Sequence, residues 1–335
     1  MSHLARAALL IILATTSLTL KAFEIKPIEF NGGGNGSAVN SPSLNYRHDD
    51  KASTCRPKSY SLNGSQPVHE IITRNAYQQI YGLVLREKTW RSPLLAGVEW
   101  NDDPEELIRK AWHYNGMGGI KKFISRVTNS KKETALTRRS HFGDLQFLHA
   151  MRPLGSDDAS THDEIMAWIK ETYAVAIGEV KASELRKNSF YHKYFAKIGC
   201  GNTAAESKVK DCSVLDVFDM KTQFRTHGEL DENLRWLATG SIAHIIQDSF
   251  SASHTVRNSK TFELISFKTY DTENQVNHCE SDGAVYKNMA NIERATKETA
   301  ELLYLIRKKA AWSEAEVFFK KLFDLHPPNK KNRFF

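Results

Sequence analysis

The segment His244-Ile-Ile-Gln-Asp248-Ser-Phe-Ser-Ala-Ser-His254 holds the densest chemistry in this sequence. Residues four apart on a helix leave the same face. His244 and Asp248 can therefore offer a ring nitrogen and a carboxylate to one metal ion, or share the carboxylate between two ions. Ser249, Ser251 and Ser253 predict that the helix bends or ends there, which aims His254 at a neighbouring ion. The spacing recurs in His278-Cys-Glu-Ser-Asp282, where Glu280 would point to another face. Three further pieces carry the same residue types: Ser140-His141-Phe142-Gly143-Asp144, Trp100-Asn101-Asp102-Asp103-Pro104, and His69-Glu70-Ile71-Ile72-Thr73. Each is a weak signal alone. Histidines and carboxylates drawn from several helices are how helical bundles build multi-metal centres. Nitrogen and oxygen donors in this mix suit zinc, with manganese as the other fit. His113, His149, His162, His192, His227 and His326 have no partner at ligand spacing and read as structural. Trp100, Phe142 and Phe147 read as core, although Phe142 adjoins His141 and could line a pocket.

The elements that must position these residues read as helices. Ile71, Ile72, Ile80, Leu83 and Val84 fit one face of a helix starting near His69. Pro104 suits a first helical position, with Glu105 and Glu106 in the first turn. Ile165, Trp168, Ile169, Tyr173 and Ile177 make a second amphipathic run behind the capping candidates Ser156 and Asp157. Longer helices are predicted over 230–250, 283–310 and 312–325, and strand-like alternation is best at 262–270. No internal repeat is visible. The expectation is one all-α, multi-helix domain over 66–326, followed by a basic tail at 327–335.

The N-terminus reads as an export signal over residues 1–22. Arg6 precedes the apolar run Ala7 to Leu20, and Ala22 is a small residue suited to cleavage. Residues 23–65 read as a flexible segment. Its run Asn31 to Gly36 is no phosphate loop, because no Gly-Lys-Ser/Thr follows. The formal net charge of +7 favours anionic partners without choosing between phospholipid and nucleic acid. Lys320-Lys321 and Lys330-Lys331 read as solvated. Four cysteines behind an export signal predict disulfides, pairing Cys200 with Cys212 and leaving Cys55 for Cys279. No CxxC spacing marks them as zinc ligands.

In order and spacing these pieces resemble the superfamily of bacterial zinc phospholipases C and S1/P1 nucleases, over about 66 to 310. That family carries a His-x3-Asp-x5-His segment and a later His-x3-Glu/Asp pair. Here these are His244, Asp248 and His254, then His278 and Asp282. Its Ser-His-Phe-x-Asp element matches 140–144, which gives His141 a ligand role, and its N-terminal ligand histidine matches His69. Its bridging aspartate falls at Asp102 or Asp103. Asp102 is preferred, because the nucleases carry Trp-Ala-Asp there. His-Ile-Ile-Gln-Asp-Ser-Phe departs from the common Gly-Asp followed by Gln-Pro, and the flavour is that of Gram-negative phospholipases C. The family's N-terminal Trp has no counterpart among residues 59–64, Ser-Tyr-Ser-Leu-Asn-Gly.

The resemblance implies two to three zinc ions. One would take Asp102 or Asp103, His141, His244 and Asp248; a second His254, His278 and Asp282; a third His69, sharing Asp248. It implies hydrolysis of glycerophospholipids such as phosphatidylcholine to diacylglycerol and a phosphorylated head group by metal-activated water. Asp102 or Asp103 would orient or deprotonate that water. The implied partner is a phospholipid membrane surface, with no obligate protein partner, and the location periplasmic or secreted. Nucleic acid is the substrate only under the alternative of an S1/P1-like nuclease. The remaining alternative is a weakly catalytic binding protein stapled by metals.

Overall fold

The computed structural model describes residues 68–86, 92–105, 135–196, 212–218, 230–269 and 289–326. The helices among them are α1 Val68–Tyr81, α2 Pro93–Trp100, α3 Leu136–Phe142, α4 Asp158–Ile177, α5 His192–Phe195, α6 Leu230–Asp248, α7 Met289–Arg307 and α8 Trp312–Phe323. A small antiparallel pair, β1 Thr255–Arg257 with β2 Leu264–Phe267, is the one sheet among the described residues. The protein is an all-α multi-helix bundle, as its periodicity predicts. The predicted export signal, flexible segment and basic tail lie outside the described residues, as do His278 and Asp282. Among the described residues no helix is long and apolar enough to cross a membrane.

Helix α6 is the axis of the bundle. From Leu237 to Asp248 every residue is buried, so this stretch is enclosed all round rather than on one stripe. Helix α2 lies against it closely enough for the backbones to touch. A methyl group on Gly240 would stand 2.3 Å from the Leu94 carbonyl oxygen, and one on Gly97 would stand 2.2 Å from that of Leu237. Only two glycines facing each other allow this approach.

Helix α4 buries Ile165, Trp168, Ile169, Tyr173 and Ile177, the predicted stripe. Of the two capping candidates, Asp157 caps the helix by accepting from the Ser160 backbone N–H at 2.6 Å. Gly178, at φ 84, ends it in the left-handed region. Trp168 stacks on Trp100 with ring centroids 5.8 Å apart, and Phe195 and Phe218 fill the sides of this pair. Trp100 and Phe147 are fully buried core residues, and Phe142 is half-buried beside the His141 ring.

One expectation needs correction. Leu83 and Val84 do not extend the face of α1. Gly82, at φ 67, ends that helix, and both residues stand exposed beyond it. Cys212, the one cysteine among the described residues, is disulfide-bonded; Cys200, its expected partner, lies outside the described residues, as do Cys55 and Cys279.

Candidate metal centre

The end of α6, the end of α2, helix α3 and the N-terminus of α1 converge on one buried point. Asn101 fixes three of the approaches. Its amide nitrogen donates to the Leu148 carbonyl at 2.7 Å and to that of Ser241 at 3.2 Å, while its oxygen accepts from the Ser241 hydroxyl at 2.7 Å. This sets Asp102 beside α6 and holds the short 3-10 turn Gln146–His149 against both. Glu105 accepts from the Thr137 backbone N–H at 3.1 Å, tying the start of α3 to the segment that follows α2. Beyond Asp248 the chain reverses, and Arg257 holds the reversal by donating to the Ser249 carbonyl and hydroxyl, to Phe262 and to Leu322. His254 thereby returns to the cluster, fully buried.

Four histidines share one arrangement. His69 Nδ1 meets the Gln247 side-chain oxygen at 2.6 Å. His141 Nδ1 meets the Thr137 carbonyl at 2.8 Å, His244 Nδ1 the Val98 carbonyl at 2.7 Å, and His254 Nδ1 the His149 carbonyl at 2.7 Å. A carbonyl oxygen can only accept, so each Nδ1 carries the proton and each Nε2 keeps its lone pair. Anchoring one ring nitrogen in this way is how metal-binding histidines are oriented.

The Nε2 atoms of His69 and His244 then meet Asp248. Asp248 Oδ2 lies 2.9 Å from His244 Nε2, 2.9 Å from His149 Nδ1 and 3.5 Å from His254 Nδ1, and its Oδ1 lies 3.3 Å from His69 Nε2. Asp102 Oδ1 lies 3.7 Å from His149 Nδ1, and Oδ2 3.8 Å from His244 Nδ1. The His69 and His244 rings stack at 4.1 Å. Among the described residues two groups have ligand atoms all within 4.8 Å of one another: His69, His244 and Asp248; and Asp102, His149 and His244.

The electrostatics call for a cation. Burial, then the neighbouring carboxylates Asp248, Glu70, Glu99 and Asp103, push the Asp102 carboxyl well above its ordinary range. Burial raises Asp248 too, but the rings of His254 and His244 and hydrogen bonds from His149 and His244 outweigh it and hold it well below. Burial drives His141 down to about 3 and His149 and His244 down to about 4, so these rings are neutral at neutral pH. His244 Nε2 and Asp248 Oδ2 are then two acceptors 2.9 Å apart, and the His149 Nδ1 proton is shared between them at 3.0 and 2.9 Å. Asp102 Oδ1 and Asp248 Oδ1 are buried and make no hydrogen bond among the described residues. Buried carboxylate oxygens left without a hydrogen-bond partner are costly unless a proton or a positive ion meets them. The two His/Asp groups, sharing His244, are consistent with two to three zinc ions and with a metal-dependent hydrolase.

Comparison with protein-family models, with curated proteins and with solved structures finds no match. The case for the centre therefore stands on its geometry.

Among the expected residues, the fold brings His69, Asp102, His141, His244, Asp248 and His254 to this point. His69, Asp102, His244 and Asp248 fall in the two ligand groups. Asp103 is buried next to Asp102 but belongs to neither group. Asp144 stands apart, its carboxylate paired with Arg139 at 2.8 Å near the surface. His162 pairs with Asp163 and Asp324, and His192 and His326 are exposed, consistent with structural roles. His113 and His227 lie outside the described residues.

His149, read from the sequence as structural, falls in the second candidate ligand group. It is fully buried, and its ring and carbonyl both serve the cluster. Its partners are 95 and 99 residues away in the chain. The available signal is its setting in Phe147-Leu148-His149-Ala150, a lone polar ring in an apolar run.

Proposed function

We propose that this chain is an exported zinc-dependent phospholipase C that hydrolyses glycerophospholipids such as phosphatidylcholine to diacylglycerol and a phosphorylated head group. The observation that carries the hydrolytic reading is the set of four inward-facing histidines around Asp102 and Asp248, each held by a carbonyl on its other nitrogen. The choice of a phospholipid rests on the ordered motifs of the sequence, from His69 through Asp282, and on the Ser-His-Phe-Gly-Asp element.

In this reading His69, Asp102, His141, His149, His244, Asp248 and His254 would hold zinc, and His278 and Asp282 would complete the set. Zinc supplies Lewis-acid stabilisation of phosphoryl charge and acidifies water. The chain's own share is orientation and water exclusion. The Val98, Thr137, His149 and Gln247 oxygens fix the rings. Asp102, whose carboxyl is pushed up by burial and by its neighbouring carboxylates, is placed to accept a proton at Oδ1, which makes no hydrogen bond among the described residues. Arg6 and the apolar run Ala7 to Leu20 support export, and the +7 charge supports action at anionic surfaces.

The test uses full-length mature protein, with zinc quantified before and after loading. Phosphatidylcholine in mixed micelles and single-stranded DNA are offered in parallel. Release of a phosphorylated head group, abolished by chelator and restored by zinc, is the expected result. Cleavage of DNA alone moves the protein to the nuclease reading. Inactivity on both with zinc bound leaves a metal-stapled binding protein.

A further inference from the structure

We infer that Gln247 is a positioning residue whose side-chain amide makes His69 a metal ligand rather than a hydrogen-bond donor to Asp248. The inference rests on the metal-hydrolase reading of the site. Gln247 is the penultimate residue of α6 and is fully buried. Its Oε1 lies 2.6 Å from His69 Nδ1, and its Nε2 donates to the Thr73 hydroxyl at 2.9 Å and to the Thr299 hydroxyl at 3.4 Å. His69 and Thr73 are one turn apart on α1, and Thr299 comes from α7. One amide thus grips two helices from the end of a third, and both threonines are as buried as the glutamine.

The orientation of the amide has a chemical consequence. As placed, its two N–H groups are taken by the two hydroxyl oxygens, and only an acceptor faces His69. The His69 proton must then sit on Nδ1, which leaves the Nε2 lone pair facing the cluster beside Asp248 Oδ1 at 3.3 Å. With the amide reversed, an N–H would face Nδ1 and the proton would move to Nε2. Nε2 would then donate to Asp248 Oδ1, and His69 would have no lone pair for a metal. An amide has no net charge, so it sets the tautomer without adding to the buried negative charge around Asp102. Thr73 and Thr299 act one step further out, because their hydroxyls accept the amide N–H groups in this arrangement.

The test measures zinc affinity site by site against a competing chelator, and the His69 tautomer by nitrogen-15 NMR of the zinc-loaded protein, with His69→Ala to assign the signal. Gln247→Leu removes the acceptor and should weaken the zinc site that includes His69 by about 10–100-fold, the usual effect of losing a ligand's hydrogen-bond partner. Gln247→Glu keeps an acceptor and should retain the site. In a His69→Ala background, Gln247→Leu should have no further effect on zinc. A merely structural glutamine would instead weaken all sites together and would not be rescued by glutamate. Wild-type protein that binds no zinc overturns the metal reading itself. Wild-type protein that binds zinc while Gln247→Leu binds it equally well overturns only the role of Gln247. Should Gln247→Leu fail to fold, the wild-type spectrum decides, and a proton on His69 Nε2 rejects the inference.

Discussion

Asp248 is the residue at which the candidate centre is joined. Four histidine rings approach its two oxygens, His69 on one and His149, His244 and His254 on the other. A carboxylate can bridge two ions, whereas an imidazole offers one free nitrogen once the other is anchored. Asp248→Asn keeps the shape and removes the charge. It should lower zinc content at more than one site and cost more activity than His69→Ala, because four rings approach the Asp248 carboxylate and His69 is one of them. A loss beyond the roughly 10–100-fold typical of altered supporting contacts is expected. Zinc stoichiometry and head-group release for both variants, with circular dichroism to confirm folding, check this. An Asp248→Asn protein that stays fully metallated and active would remove Asp248 from the centre. At this scale the sequence was informative where ligands lie one turn apart. His244 and Asp248 are legible because a helix enforces their proximity. His149 was not legible, because its partners reach it only through the packing of α6 and the Asn101 bridge.

At the scale of elements, the apolar periodicity of α4 forecast its buried face residue by residue, and the serines after Asp248 forecast the turn that brings His254 back. Periodicity misled at Leu83 and Val84, because one glycine in the left-handed region ends α1 before them. It was silent about Gly97 and Gly240. Their role is a contact between two helices far apart in the chain, and nothing local announces it. That contact sets how close Asp102, at the end of α2, comes to His244. Gly240→Ala would drive a methyl to 2.3 Å from the Leu94 carbonyl oxygen and 2.5 Å from the Val98 nitrogen. Backbone must shift, since no flexible side chain is there to yield. The expected cost is at or above the top of the roughly 1–3 kcal/mol range for overpacked cores. Zinc affinity should fall with it, because Val98 orients His244. Denaturant unfolding and zinc titration of the variant measure both. Unchanged stability would mean that the two helices can part without loss.

For the whole molecule, the candidate ligands come from α1, the end of α2, α3, the turn before Ala150, α6 and the segment leading into β1. Ions at that junction would tie together elements that are otherwise joined by side-chain packing and by the hydrogen bonds of Asn101, Glu105 and Gln247. Buried carboxylates and bare ring nitrogens also make the metal-free junction unfavourable, so metal binding and folding are thermodynamically coupled. A site filled at about 100 times its dissociation constant adds roughly 2.7 kcal/mol. For a domain of this size that is about 5–10 °C in melting temperature per site. The mature protein should therefore melt well below its zinc-loaded form in chelator, and zinc should restore the difference. Asp248→Asn should lose most of the zinc-dependent increment while its chelated melting point stays near or above that of chelated wild type, because a buried charge has been removed. Scanning calorimetry of four samples, wild type and variant each with chelator and with zinc, provides the comparison. If wild type melts at the same temperature with and without zinc, ions do not join these elements, and the clustered histidines and aspartates must be stabilised by protons and hydrogen bonds alone.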